Sequence, residues 1–199
     1  MIMNKKAEKI LNTTSKLFLQ NGAKKITMDD IAEQAKVSKV TVYKYFSDKD
    51  TLYYEVGKHI LSFQLSKLNE IIESRDSLIN RFYSYIDILS EFTDSRQLWL
   101  CSELTKFNDR LSSEYNGYIS KQNESLLILI DEGYRSRLIK QDIDRQIVFH
   151  MINMGIVYYQ QNEEYRRIMH TDSHFQKTIL FLLLNGIFVD TKSIMNGEI

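Results

Sequence analysis

The chain has 199 residues, of which 43% are hydrophobic and 26% are charged, and its formal net charge is zero. These values are ordinary for a soluble globular protein, and no apolar run approaches the roughly 18 residues of a membrane-spanning helix. They argue against both a membrane protein and a disordered chain. The length allows one large domain, or a small domain joined to a larger one.

The sequence contains no proline and a single cysteine, Cys101. Average proline usage of about 5% would give several prolines, so their absence suits an almost wholly helical chain. One cysteine excludes an internal disulfide and fits a reducing cytosol. The N-terminal stretch has an amphipathic helical pattern without the apolar segment of a secretion signal. We therefore expect a cytoplasmic protein.

Charge is divided unevenly along the chain. Residues 1–60 hold eleven lysines against seven acidic residues, a net charge of +4, and the remainder carries −4. On charge alone, a solvated lysine-rich surface is the common explanation. The alternative is that the N-terminal end binds a polyanion.

The first elements in chain order are three short helices. We predict one helix over residues 5–20, ended by an Asn-Gly pair that allows a left-handed turn. A second follows Thr27, which has the capping-box spacing with Asp30. Ser38 then caps a third. Helix, tight turn and helix together indicate a helix-turn-helix.

The third helix carries side chains that a buried helix would not. Val42 and Phe46 point inward at i and i+4, while the seven residues Lys39–Tyr45 include two lysines and two tyrosines. A helix lying in a DNA groove uses ammonium groups, hydroxyls and a small apolar side chain. The composition therefore predicts a DNA recognition helix.

At this point the sequence resembles a known family. The pattern T-x-x-x-I-A-x-x-A-x-V-S-x-x-T-x-Y-x-Y-F-x-x-K-x-x-L, over residues 27–52, is similar to the DNA-binding signature of the TetR family of bacterial transcriptional repressors. The resemblance implies an all-α fold of about nine helices. Residues 1–48 would form a three-helix DNA-binding domain, and residues 49–199 a C-terminal helical domain for effector binding and dimerisation.

The resemblance also assigns DNA contacts. It implies that three residues of the recognition helix reach base edges in a double-stranded operator, namely Lys39, Val40 and Lys44. It implies phosphate contacts from Thr27, Thr41, Tyr43, Tyr45 and Lys49.

Two positions depart from the family pattern. Lys36 stands where the turn usually has glycine, and a left-handed backbone there costs roughly 1 kcal/mol relative to glycine. Val40 stands where glycine or proline is frequent. A branched apolar group at this position suits contact with a thymine methyl group, and so predicts an altered operator preference.

A long helix is predicted from Ser47, as its cap, to Ile72, and it would link the two domains as a rigid rod of about 37 Å. The periodicity predicts further helices at about 76–92, 95–107, 110–137, 144–163 and 173–190. The polar run 162–173 is interpreted as a loop and Met195–Ile199 as a frayed tail.

The last two predicted helices are too apolar to have one face exposed to solvent. They are either buried centrally in the monomer or paired with their copies across a two-fold axis in a four-helix bundle. TetR-like proteins dimerise in the second way, and this implies a homodimer. The predicted interface consists of Ile147, Met154, Tyr158, Leu180, Leu183, Leu184 and Ile187.

The middle helices are rich in aromatic and soft side chains, which line pockets for small apolar or aromatic effectors but are more often simply core. The predicted effector pocket consists of Phe82, Trp99, Phe107, Tyr118, His150, Met151 and Met154. Cys101 is either a buried apolar residue or a redox sensor.

Catalytic, cofactor and metal sites are not predicted. The sequence has no Gly-rich phosphate loop, nucleophile elbow or H-E-x-x-H helix. His170 and His174 are four residues apart, but the predicted loop between them argues against a zinc site.

The sequence therefore predicts a dimeric repressor that binds a palindromic operator and is released by a small-molecule effector. Two other classes stay open. One is a ligand-independent architectural DNA-binding protein, and the other is a helical carrier that binds no DNA.

Overall fold

The computed structural model describes residues 4–189, which form ten α-helices. Their bounds are α1 Lys5–Asn21, α2 Met28–Ala35, α3 Lys39–Tyr45, α4 Lys49–Glu73, α5 Leu78–Asp94, α6 Gln97–Thr105, α7 Asp109–Arg135, α8 Arg145–Gln161, α9 Glu163–Thr171 and α10 Ser173–Ile187. The predicted all-α class is confirmed. The predicted frayed tail lies outside the described residues.

The helices belong to two compact units. One contains the chain up to Ser66 together with Phe92–Lys121, and the other contains Lys67–Glu91 and the chain from Gln122 onward. Helices α4, α5 and α7 each contribute residues to both units. The domain boundary predicted after residue 48 falls in the loop before α4 and stays a prediction.

Helix α9 lies where the sequence predicted a loop, so the described chain has one helix more than expected. The side chain of Asn162 caps it by accepting the backbone N–H of Tyr165 at 2.8 Å. Its apolar face is short and only half-buried, consisting of Tyr165, Ile168 and Met169 among charged neighbours, so the segment was interpreted as a polar run. It also places His170 on α9 and His174 on α10, which corrects the predicted loop between them.

The first three helices share one small core. Helix α1 packs on α2, and α2 packs on α3. Fully buried residues from each helix meet there, among them Ile10, Phe18, Ile31 and Val42. The predicted glycine at the end of α1, Gly22, has φ of 83° and is thus left-handed.

Helix α4 begins one position later than the sequence suggested, because Asp48 rather than Ser47 is its cap. One oxygen of Asp48 accepts the backbone N–H of Thr51 at 2.7 Å, and the Ser47 hydroxyl donates to the other at 3.0 Å. The Thr51 N–H is the main reason that the pKa of Asp48 is lowered. A carboxylate at this place also complements the helix dipole.

The second unit closes around the end of α10. Phe188 meets the buried ring of Phe82 edge to face, with the ring centroids 5.4 Å apart. The backbone beyond α10 pairs with the loop after α7, since the Val189 N–H donates to the Leu138 carbonyl at 2.9 Å. Within residues 4–189, no helix combines the length and the apolarity needed to cross a membrane.

Candidate nucleic-acid interface, subunit face and internal cavity

The turn between α2 and α3 is fixed by local hydrogen bonds. Thr27 and Asp30 form the predicted capping box, with the Thr27 N–H donating to the Asp30 carboxylate at 2.8 Å. Lys36 ends α2 with φ of 54° and ψ of 50°, so the left-handed backbone predicted at this departure from the family pattern is confirmed. Ser38 then caps α3 by accepting the Thr41 N–H at 3.2 Å. These caps orient α3 against α2.

Helix α3 turns its two apolar residues in opposite directions. Val42 is fully buried, whereas 78% of the surface of Val40 is exposed. Tyr43 is 44% exposed, and Lys44 is exposed beside it. An exposed valine next to exposed lysine and tyrosine gives no stability to the free chain, and it suits contact with the edges of bases. We refer to Lys39, Val40, Tyr43 and Lys44 as the recognition surface.

Lys39 is not a free cation in this surface. Its ammonium nitrogen lies 2.7 Å from one oxygen of Asp29 and 3.0 Å from the other. Both side chains stay more than half exposed, at 57% and 63%. The hydrogen bond from Lys39 to Asp29 is the main reason that the pKa of Lys39 is raised. Asp29 was not among the predicted site residues, because its partner is ten positions away in the sequence.

The two predicted threonine contacts have local partners. The Thr27 hydroxyl donates to Asp30 at 2.7 Å, within the capping box. The Thr41 hydroxyl lies 2.8 Å from that of Ser38. Each hydroxyl therefore has a partner beside a helix N-terminus, and a phosphate contact from either would compete with that local hydrogen bond.

The side chain of Lys49 also has partners within the protein. Its ammonium donates to the Lys24 carbonyl at 2.8 Å and lies 5.6 Å from the ring centre of Tyr53. Burial is the main reason that the pKa of Lys49 is lowered. The predicted phosphate contact would require this side chain to exchange a protein partner for DNA. Tyr45, the remaining predicted contact, is half-buried beside Phe46.

The predicted subunit interface divides into exposed and buried residues. Ile147, Met154 and Tyr158 on α8 are 58%, 66% and 54% exposed, and they form an apolar outer face together with Val157. We call these four residues the α8 face. A run of exposed apolar residues along one helix is typical of a surface that another chain covers.

The α10 part of the predicted interface needs a correction. Leu184 and Ile187 are buried inside the chain, and they therefore have no surface left for a partner. Leu182, which was not predicted, is instead exposed. Leu180 and Leu183 are half-buried and line an internal cavity. The sequence did not reveal which apolar side of α10 faces inward.

The residues predicted for an effector pocket lie in several environments. Phe82 packs on Phe188, and the fully buried Tyr118 meets Phe92 with ring centroids 5.6 Å apart. Phe107 stacks near Tyr53, at 5.4 Å between centroids. These three predicted residues make core contacts.

The other predicted pocket residues lie at the surface. Trp99 is exposed, with the guanidinium of Arg96 4.6 Å from its ring centre. His150, Met151 and Met154 line an open groove along α8 rather than an enclosed pocket.

A small, partly open cavity of about 60 Å³ lies in the second unit, between α5, α8, α9 and α10. It is lined by Ile86, Leu89, Ser90, Ile152, Gly155, Ile156, Tyr159, Gln160, Tyr165, Met169, Ile179, Leu180 and Leu183. These lining residues are uncharged. Near the polar end, the Tyr159 hydroxyl lies 2.9 Å from Nε2 of His170. The cavity suits an uncharged, mainly apolar molecule with one polar group.

The seven residues of the predicted effector pocket are absent from this lining. The lining residues of α5 and α8 do recur at helical spacing, as in Ile152, Ile156 and Tyr159. That signal identifies an inward face, but it does not distinguish a cavity wall from a filled core.

Cys101 is fully buried, with Sγ 4.0 Å from the carbonyl oxygen of Gly57. Burial raises the pKa of its thiol to about 12. Of the two readings left open by the sequence, this environment fits the buried apolar residue. No group of three or more possible metal ligands occurs among residues 4–189.

Comparisons with known proteins agree with this geometry. Residues 10–56 match the family described as "Bacterial regulatory proteins, tetR family". The chain is 26% identical over 153 residues to the uncharacterized HTH-type transcriptional regulator YdeS of Bacillus subtilis, covering 75% of each. It is also 26% identical over 151 residues to IcaR, the HTH-type negative transcriptional regulator of a biofilm operon in Staphylococcus aureus, covering 71% of this chain and 77% of IcaR.

A solved structure extends the similarity over nearly the whole chain. The transcriptional regulator FadR of Bacillus subtilis, in complex with stearoyl-CoA, superposes with a TM-score of 0.63 at 20% identity, covering 90% of this chain and 98% of FadR. At this identity the likeness concerns the fold. The match assigns the DNA-binding domain of the TetR family of bacterial regulators to residues 10–56, and the related regulators and the shared fold agree with this assignment.

Proposed function

We propose that the protein is a dimeric repressor that binds an inverted-repeat operator and releases it when a small apolar molecule occupies the cavity. The recognition surface carries the proposal. It exposes 78% of Val40 on a helix that is capped by Ser38 and anchored by the buried Val42. The neighbouring lysine and tyrosine match the polar edge of a DNA groove, and the valine adds an apolar group that suits a thymine methyl.

Dimerisation is supported by the α8 face. Its exposed Ile147, Met154 and Tyr158 would be covered in a two-fold contact, which places the same residues of both copies opposite each other. Two copies related in this way present two recognition helices, and such a pair reads an inverted repeat. IcaR, which is named as a negative regulator, supports repression rather than activation.

Release by an effector is supported by the cavity. FadR of Bacillus subtilis was solved with stearoyl-CoA, so a protein of this fold accommodates a ligand with a long apolar part. Helix α4 is one continuous helix of 25 residues. Because a helix is stiff, a displacement of its C-terminal end on ligand binding would be transmitted to its start, next to the recognition helix. A coupling of about 1–3 kcal/mol is enough for a switch of this kind.

Selection of duplexes from a random library tests the proposal. The purified protein should enrich an inverted repeat, bind it with two protomers per site, and protect both half-sites in a footprint. Tyr43→Ala should weaken binding to all sequences, because it removes a group assigned to phosphate. Lys6→Ala is the control. It removes one exposed lysine on α1, so it changes the charge of the N-terminal end without altering α3.

The competing functions give different results in the same assay. An architectural DNA-binding protein would bind without enriching a repeat, and a helical carrier would retain no duplex. Normal operator binding by the Tyr43→Ala protein would rule out the docking of α3 proposed above.

A further inference from the structure

We propose that Asp29 and Lys39 read one G·C base pair in each operator half-site as a unit, with Asp29 accepting from cytosine and Lys39 donating to guanine. The inference rests on the proposed function, since it requires α3 to enter the major groove. It adds a specificity-determining residue, Asp29, that lies on α2 and outside the recognition helix.

The first observation is the place of the carboxylate. Asp29 is the second residue of α2, and its side chain is 63% exposed next to the first residue of α3. A carboxylate this close to a DNA-binding helix is repelled by phosphates and weakens sequence-independent binding. It gains energy only from a hydrogen-bond donor, and the major groove offers such donors as the amino groups of cytosine and adenine.

The second observation is the contact itself. The Lys39 nitrogen lies 2.7 and 3.0 Å from the two Asp29 oxygens, so a donor and an acceptor are presented side by side. The edge of a G·C pair has the matching order, with the two guanine acceptors N7 and O6 followed by the cytosine amino donor. At a G·C pair the ammonium group of Lys39 meets two acceptors, N7 and O6 of guanine. At an A·T pair it meets only N7 of adenine, because the next group along the edge is the adenine amino donor. The unit therefore favours G·C.

The third observation is that the pair is easily reoriented. Both side chains are more than half exposed, and an ion pair in that environment contributes little to stability. Neither group takes part in the capping box, which uses Thr27 and Asp30. Lys39 and Asp29 are thus free to turn toward a base pair while α2 and α3 keep their positions.

The test compares selected operators for the wild type, Asp29→Asn and Lys39→Met. We expect both variants to lose preference at the same G·C pair of each half-site, by about tenfold relative to the other bases. Asp29→Asn should also bind non-specific duplex more tightly and with a steeper salt dependence, because Lys39 becomes available to phosphate. Circular dichroism should show unchanged helix content in both variants.

Glu33→Gln is the matched control. Glu33 is exposed one turn further along α2, and its substitution removes the same charge. It should leave every base preference unchanged. If Asp29→Asn selects the wild-type operator, or if both variants lose preference at an A·T pair or at two different pairs, the inference is overturned while the repressor function stands. If the wild type selects no duplex, the proposed function itself fails.

Discussion

Arg81 joins the last turn of α4 to α7 through Glu132. The two nitrogen–oxygen distances between the Arg81 Nη1 and the Glu132 carboxylate are 2.8 and 2.9 Å. The same guanidinium donates to the carbonyls of Ile71 and Ile72, at 3.0 and 2.8 Å, in the last turn of α4, where carbonyls lack intrahelical donors. Arg81 is itself buried, and this one side chain satisfies a carboxylate and two carbonyls.

We expect Arg81→Met to lower the free energy of unfolding by about 1–3 kcal/mol, because it leaves Glu132 and two carbonyls without their charged donor. Glu132→Gln should lower the free energy of unfolding by less, because the Glu132 side chain is 38% exposed and glutamine keeps one acceptor oxygen. Urea unfolding measures both changes. Hydrogen exchange at the Ser74 N–H, which donates to the Ile71 carbonyl, reports the end of α4 directly. Equal stability of Arg81→Met and wild type would contradict this account.

Lys36→Gly should stabilise the chain. Lys36 has φ of 54°, where glycine avoids a steric cost of about 1 kcal/mol, although part of this gain is offset by the greater freedom of glycine in the unfolded state. The midpoint of urea unfolding should therefore rise. Asparagine also tolerates a left-handed backbone, so the midpoint for Lys36→Asn should lie between those of the wild type and Lys36→Gly. A fall in the midpoint for the glycine variant would show that the lysine side chain contributes more than the strain costs.

Met154→Glu should separate the proposed dimer without disturbing the subunit. Met154 is 66% exposed in the single chain, and a carboxylate there would be buried opposite its copy in a two-fold contact. We expect the dimer dissociation constant to rise at least about tenfold, which corresponds to 1.4 kcal/mol. Sedimentation over a concentration series measures it. Asn116→Glu, at an exposed position of α7, is the control for added charge. A Met154→Glu protein that remains as dimeric as the control would place the interface elsewhere.

Cys101 should resist thiol reagents in the native protein at pH 8. Burial raises the pKa of its thiol to about 12, so little reactive thiolate is present at pH 8, and the side chain has no exposed surface. Labelling with a chromogenic disulfide should become complete only in denaturant. Rapid labelling of the folded protein would instead support a redox role.

The parts of the fold that could be predicted from sequence are those whose cause is local. The capping box of Thr27 and Asp30 needs only four consecutive residues, and so does the cap at Ser38. The left-handed turn at Lys36 followed from the family pattern, which usually has glycine at this position. These features position the recognition surface, which is why α2 and α3 were found at nearly the right bounds.

The remaining features depend on residues far apart in the chain. The pairing of Asp29 with Lys39 crosses a turn, and the cavity needs side chains from four helices. Leu184 was assigned to the subunit interface because its own helix is apolar on several sides, and only packing decides which side is inward. Helix α9 was not predicted because its short apolar face lies within a run of charged and polar residues.

The exposure of Val40 has a consequence for chemically modified DNA. In the proposed docking, Val40 would meet the floor of the major groove and distinguish thymine from cytosine by a single methyl group at C5. Cytosine that carries a methyl group at the same carbon presents Val40 with the shape of thymine. An operator weakened by a T-to-C change at the contacted position should therefore recover affinity when that cytosine is methylated, so that this regulator would respond to the methylation state of its site as well as to its sequence.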